Sequence, residues 1–316
     1  MVTTTVPLYP LRFAPFLRPM PWGGGRLRNW LDVAWPENVK IGEAWLLSDH
    51  PLHQSVVTNG PLAGTTLPHL LAERGSELFG MPVKRFPLLI KLLDAQENLS
   101  IQVHPDDELA RTWAPKEGGK SEAWLVLESS PDAAIYLGLK PGIDRASFLR
   151  ELGNGTLPLC MKRYDPQPGQ CFNVPAGSIH ALGGGTVVLE VQQTSDATFR
   201  LFDWNRVDDT GKPRPLHLEA GLACLKKAPG NVGVQSPRLG NQGEQVLVEG
   251  PYFRIRRWSF PSSLHGPSIL VCLGASACLE ADGIYDLRRG ELWLIPESTG
   301  KYALTKVDGE VVEILA

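Results

Sequence analysis

The sequence predicts an all-β fold of two jelly-roll β-barrels with a few helical excursions. Glycine and proline are plentiful, 32 and 27 in 316 residues, the punctuation of a chain that turns often. Between them lie short runs rich in Val, Ile, Leu and Phe, of strand length and too short for helices. One pattern also occurs twice: Gly169, five residues, Pro175, then Gly290, five residues, Pro296. A glycine turn, a short strand and a closing proline describe one edge of a jelly roll.

The strands expected in chain order are QSVVTN (54–59), LSIQVH (99–104), EAWLVL (122–127), AIYLGL (134–139), QCFNVP (170–175), TVVLEVQQ (186–193), ATFRLFDW (197–204), YFRIRRWSF (252–260) and ELWLIP (291–296). Each combines β-branched or aromatic residues with flanking turn formers. Helical apolar spacing appears in 66–80, in 144–153, where Asp144 is placed to cap and Gly153 to stop, and in 215–227. Residues 228–245, APGNVGVQSPRLGNQGEQ, have no periodicity and read as a linker. The expected units are a metal-binding catalytic domain, 1–235, and a smaller β domain without metal, 236–316.

Composition narrows the function. The 31 basic residues are balanced by 34 acidic ones, a net charge of -3, so nothing draws the chain to nucleic acid or an anionic membrane. The basic run Arg254, Arg256, Arg257 alternates with apolar residues and reads as a solvated strand face. Five cysteines without a CxxC pair read as buried apolar residues in a reducing compartment. No apolar run is long enough to span a bilayer, and prolines interrupt the first 22 residues where a secretion leader would need an unbroken stretch. A cytoplasmic protein acting on a small molecule is the expectation.

Chemistry concentrates in two places. In LSIQVHPDDELA the alternation of a strand points Gln102 and His104 to one side of a sheet. In PGQCFNVPAGSIHALGGG, Gly169, Pro175, Gly177 and His180 fit G-x5-P-x-G-x2-H. This resembles the second signature of the cupin fold, a small barrel holding a metal in its mouth. The resemblance implies a site drawn from Gln102-x-His104, from Glu122 in GGKSEAW and from His180. Two imidazoles and a carboxylate suit a borderline divalent ion, and three protein ligands leave a position open for substrate. After Pro296 the chain reads ESTGKYAL, without histidine, so the second unit is expected to bind no metal.

Longer blocks narrow the resemblance. RPMPWGGGRL, FPLLIKLLDAQENLSIQVHPDD, GGKSEAW and VPAGSIHALGGGTVVLEVQQTSDATFRLFDWNR closely resemble the type I mannose-6-phosphate isomerases, particularly their short bacterial form, over about residues 10 to 220. That implies one zinc ion per chain, with His104, Glu122 and His180 as ligands and Gln102 as a fourth; the short form often carries Lys at the Gln102 position. It implies an aldose-ketose isomerisation between mannose 6-phosphate and fructose 6-phosphate through an enediolate, with Arg200 as the active-site arginine and Lys120, Glu190 and Asp196 lining the pocket. A divalent ion and a fixed guanidinium both act where negative charge develops, and a carboxylate or lysine in a partly dry pocket can shuttle the proton. Taken singly, Lys120 also reads as a solvated turn lysine, Asp196 as a turn former and Glu190 as a structural ion pair. The glycines of WGGGRL form no Walker loop and read as a turn that sets Trp22 at the pocket rim. The additional helical domain of the family's long members has no room in this chain. Two rival functions share the ligand set: a non-haem iron oxygenase, which would consume oxygen, and a sugar-binding protein without turnover. Oligomeric state leaves no mark in the sequence.

Overall fold

The computed structural model describes residues 6–207, 210–226 and 230–316. Its centre is a seven-stranded antiparallel sheet in the order Gly233–Gln235, Cys171–Val174, Glu122–Ser129, Thr186–Gln193, Leu88–Ala95, Ile41–Leu47, Phe16–Gly24. One face of this site sheet, with Ile90, Leu125 and Leu189, packs against Ile255, Val271 and Ile314 of a second seven-stranded sheet built mainly from C-terminal strands. The opposite face, with Leu93, Trp124 and Val188, meets Ile135, Leu137 and Leu182 of a five-stranded sheet.

Two further layers complete the stack. A four-stranded sheet covers the far side of the C-terminal sheet, joining Leu279, Leu287 and Leu304 to Trp258, Leu270 and Trp293. Helical residues Phe148, Ala220 and Cys224 cover Ile101, Val103 and Leu201 on the outer face of the five-stranded sheet. Each fully buried Leu, Ile or Phe contributes about 1.5–3 kcal/mol, and the stacking buries both faces of strands such as Leu88–Ala95, Thr186–Gln193 and Ser268–Cys272. Strand Leu11–Arg12 pairs with Leu292–Ile295, so the start of the chain extends the C-terminal sheet.

The mostly-β architecture is as the sequence predicts, but among the described residues no sheet closes into a barrel. The site sheet ends in Phe16–Gly24 and Gly233–Gln235, and its facing sheet ends in Met161–Tyr164 and Phe199–Phe202. Apolar faces are buried by stacking open sheets, which satisfies the core without closure.

Eight of the nine expected strands are present, six of them trimmed at their ends, Thr186–Gln193 with its expected bounds and Glu122–Ser129 longer than expected; of residues 54–59, Gln54 ends strand His53–Gln54, while Val56 and Val57 make isolated bridges to Thr66 and Phe13. Leu88–Ala95, whose eight residues are all buried, is absent from the sequence reading because a strand covered on both faces shows no alternation. Helices Leu67–Phe79 and Arg145–Gly153 form where expected, the second capped by Asp144 accepting from Ser147 N at 2.7 Å. The third is shorter than expected, Leu218–Cys224, and residue 227 lies outside the described residues. An unforeseen helix, Asp107–Trp113, starts where Asp106 accepts from Leu109 N at 2.9 Å. Of the stretch read as a linker, residues from 230 onward are described and carry strands Gly233–Gln235 and Arg238–Leu239. The arginine-rich strand is ion-paired and half-buried rather than solvated, because Glu249, Glu310 and Glu313 face it. Four cysteines are buried and Cys278 is half-buried, all five with free thiols.

Candidate functional site

Register sets the site. Opposed residues in an antiparallel pair share a face. Across the site sheet, Trp124, Glu190, Lys91 and Trp45 form one rung, with Glu122 opposite Gln192 in the next. On the facing sheet, His180, Gln102 and Arg200 form a rung over three neighbouring strands. Glu122 therefore reaches from one sheet toward His180 on the other, and His104 follows Ile101–Val103 at the turn into HPDD. The nearest ligand atoms of His104, Glu122 and His180 all lie within 4.8 Å of one another, and all three residues are buried.

The imidazoles are held for the task. His104 Nδ1 lies 2.7 Å from Ala197 O and His180 Nδ1 lies 3.0 Å from Ser178 O. A carbonyl only accepts, so each Nδ1 donates and each Nε2 is left with its lone pair. Both Nε2 atoms lie 3.4 Å from a Glu122 oxygen. Lone pairs facing a carboxylate repel unless a cation stands between them. Burial, and next Lys120, push His104 down to about 3, and burial lowers His180, so both rings are neutral donors at pH 7.

Neither Glu122 oxygen has a hydrogen bond, although both are buried. Burial works to raise this carboxyl, but it lies well below the usual range, with the Lys120 ammonium the largest influence drawing it down. The nearest compensating charge is Lys120, whose Nζ lies 3.0 Å from Glu122 Oε2 and 3.2 Å from His104 Nε2. The donor set fits a metal ion: two neutral imidazoles and an ionised carboxylate converge, and neither carboxylate oxygen has a hydrogen bond. Gln102 stands beside them with its amide nitrogen 3.2 Å from His180 Nε2 and its oxygen accepting from Ser100 Oγ at 3.0 Å. Reversing the amide turns the oxygen toward the cluster and gives Ser100 Oγ a donor in exchange.

Beside the cluster opens a cavity of about 230 Å³, lined among others by Trp22, Gln102, Lys120, Glu190, Asp196 and Arg200. Trp22 stands at this cavity, brought there by close backbone contact: a side chain at Gly23 would meet Gly42 N at 2.5 Å, and one at Gly24 would meet Asp94 Oδ2 at 2.5 Å. Lys120 is buried rather than a solvated turn residue. Glu190 accepts from Trp124 Nε1 at 3.0 Å and lies 3.3 Å from Lys91 Nζ; burial raises its carboxyl above the ordinary range. Asp196 lies 3.8 Å from Arg18 Nη1. Arg200 donates through Nη1 to Pro215 O at 2.9 Å, while its buried Nε has no partner.

Comparison with known proteins follows the geometry. The family described as phosphomannose isomerase type I, catalytic domain, matches residues 11–122. A probable mannose-6-phosphate isomerase of Bacillus subtilis (strain 168) is 35% identical over 306 residues, 94% of this chain and 96% of that one. The chain belongs to the type I phosphomannose isomerase family. A mannose-6-phosphate isomerase of Streptococcus mutans is also 35% identical, over 93% of each chain. The crystal structure of the mannose 6-phosphate isomerase from Bacillus subtilis superimposes with a TM-score of 0.88 at 30% identity, covering 98% of this chain and all of that one. The likeness thus extends beyond residue 220, where the resemblance of sequence blocks stops.

This phosphomannose isomerase relative also carries charged residues that the sequence reading passes over. Lys91 is buried between Glu43 at 3.7 Å and Glu190 at 3.3 Å, and those acids overcome burial to hold it charged. Arg18 sits 3.0 Å from Glu43 and over the Trp45 ring at 4.8 Å. Arg214 lines the same cavity. Lys91 carries a readable signal, a charge flanked by apolar residues in LLIKLL; Arg214 carries none, lying between two prolines.

Proposed function

We propose that the protein is a zinc-dependent aldose-ketose isomerase interconverting mannose 6-phosphate and fructose 6-phosphate. The family and relatives at 35% identity over nearly the whole chain support the activity. The observation that carries the metal is Glu122, a buried carboxylate without a hydrogen bond and with an imidazole nitrogen 3.4 Å from each of its oxygens. His104, Glu122 and His180 would hold the ion, with Gln102 as a fourth ligand after its amide turns. Bound zinc supplies a Lewis-acidic charge at the sugar oxygens.

The chain's own residues do the rest. The cavity binds the open-chain sugar, and Trp22 covers its apolar side. Glu190 moves the proton between carbon 2 and carbon 1; burial raises its carboxyl above the ordinary range and so makes it a better base than an exposed one. Lys91 and Trp124 Nε1 fix Glu190 in place. As the proton leaves, charge grows on the enediolate oxygens, and the unpartnered Arg200 Nε is available to donate to one of them. Lys120 and Asp196 bind sugar hydroxyls along the wall. The catalytic unit is residues 1–235; residues 236–316 form a β unit without metal, and the two facing-sheet pairs correspond to two jelly-roll units.

The test is a coupled assay on mannose 6-phosphate, with glucose 6-phosphate and unphosphorylated mannose as controls, combined with metal analysis. Turnover of mannose 6-phosphate is expected, with about one zinc per chain as a single site requires, loss on chelation and recovery on adding zinc. Metal-free protein with full turnover would refute the metal's part, and no turnover of any hexose phosphate would refute the activity.

A further inference from the structure

We propose that Arg214, clamped by Asp203, is the residue that anchors the substrate's phosphate and so selects phosphorylated sugars; this rests on the sugar-phosphate reading above. Asp203 is buried and takes Arg214 in a two-pronged pair, Nε to Oδ2 at 2.7 Å and Nη2 to Oδ1 at 2.6 Å. The pair fixes the plane of the guanidinium, and Arg214 lines the cavity. The Arg200 guanidinium lies alongside, bonded to Pro215 O at 2.9 Å.

Charge separates this end of the cavity from the other. At the far end Arg18, Lys91 and Lys120 face Glu43, Glu122, Glu190 and Asp196, so cations are matched by acids. At this end, among the described residues, Arg206 and Arg214 both pair with Asp203, and Arg200 feels both of those cations as well as that acid. Among the described residues these three guanidiniums thus share one carboxylate, with Glu97 4.0 Å from Arg206. A phosphate monoester carries close to two negative charges at neutral pH and accepts in the planar geometry that arginine offers.

Register fixes the span. His180, Gln102 and Arg200 are opposed across adjacent strands, which places Arg200 two strand spacings, about 10 Å, from His180. A six-carbon sugar lying along this rung puts carbons 1 and 2 beside the His104, Glu122 and His180 cluster and its phosphate beside Arg214.

The experiment compares Arg214→Met and Arg214→Lys with the parent, using mannose 6-phosphate as substrate and inorganic phosphate as inhibitor. For Arg214→Met, KM and the phosphate inhibition constant are expected to rise together by about 10 to 100-fold, the usual loss of a charge-assisted contact, while kcat changes little; Arg214→Lys recovers part of the loss. A fall in kcat with both constants unchanged overturns the proposal. If the Met variant does not fold, Arg214→Lys decides: constants equal to the parent's overturn the anchor, intermediate ones support it. If the parent lacks turnover, calorimetric binding of mannose 6-phosphate that weakens in Arg214→Met keeps the anchor while the isomerase reading falls; turnover with an unchanged KM in the variant sinks the anchor alone.

Discussion

Lys120→Met tests whether a lysine ammonium and a metal ion serve the same carboxylate. Lys120 Nζ sits 3.0 Å from Glu122 Oε2 and 3.2 Å from His104 Nε2, where its side chain is only 6% exposed. Met keeps most of the stem and removes the charge, leaving Glu122 ionised, buried and uncompensated. Removing one partner of a buried ion pair costs about 3–5 kcal/mol. A chain of 316 residues unfolds with an entropy near 0.66 kcal/mol/K at about 2.1 cal/mol/K per residue, so the metal-free melting temperature should fall by about 5–8 °C. With zinc saturating, the carboxylate is compensated by the ion and most of that loss should vanish. Metal affinity should rise in the variant, because no ammonium has to yield its place. Calorimetry on chelated and zinc-loaded samples, with a fluorescent chelator competition for affinity, measures each quantity. An equal drop in both forms, or an unchanged metal affinity, would refute a shared position and leave Lys120 as ordinary packing.

Other outcomes follow from the same geometry. His104→Ala and His180→Ala should each weaken zinc binding by at least about 100-fold in equilibrium dialysis, since even outer-shell changes cost 10 to 100-fold; Cys171→Ser, buried on the other face of the site sheet, should keep it. Arg200→Ala should lower kcat by about 10² to 10³ in the coupled assay, as for an oxyanion donor; a loss confined to KM would make Arg200 a binding residue. Glu313 is buried, and burial raises its carboxyl above its ordinary value of 4.5. The folded state thus holds this proton more tightly than the unfolded chain, so the group's contribution is fully present below 4.5 and is lost as pH rises through the raised folded value. Glu313→Gln, still able to accept from Trp258 Nε1, should accordingly gain more melting temperature over the parent at pH 7 than at pH 4.

What the sequence reveals follows from what leaves a local pattern. Gln102 and His104 are legible because strand alternation isolates them in LSIQVH, and His180 because the turn before it demands glycine and proline; Gly177, at φ 84, is one of those turn residues. The structure brings both histidines together with Glu122. The Leu88–Ala95 strand hides because two covered faces erase its period. Layering is hidden for a different reason: whether sheets close or stack depends on which apolar face meets which, and Ile90 and Leu93 look alike in sequence though they serve opposite sides of one sheet. Arg18, Lys91 and Arg214 gain their roles only from partners 25, 99 and 11 residues away, Glu43, Glu190 and Asp203.

Stability and function part company at the cavity. Among the described residues, seven buried side-chain atoms lack a hydrogen-bond partner, and four of them belong to Glu122, Gln192 and Arg200. Glu122 and Gln192 oppose each other on the site sheet, and Arg200 stands on the facing one. Each such atom costs about 1–3 kcal/mol of desolvation, offset at Glu122 only by the Lys120 ammonium 3.0 Å from Oε2, so a sequence selected for stability alone would have given them hydrogen bonds or replaced them. Their neighbours receive that treatment: Lys91 lies between two acids, and Asp203 holds two arginines. The contrast separates groups that support the walls from groups that wait for a partner. It also explains why the open atoms sit between two sheets: rigid strands hold lone pairs and an N–H apart at fixed spacing, whereas a loop would let them collapse onto one another or onto water.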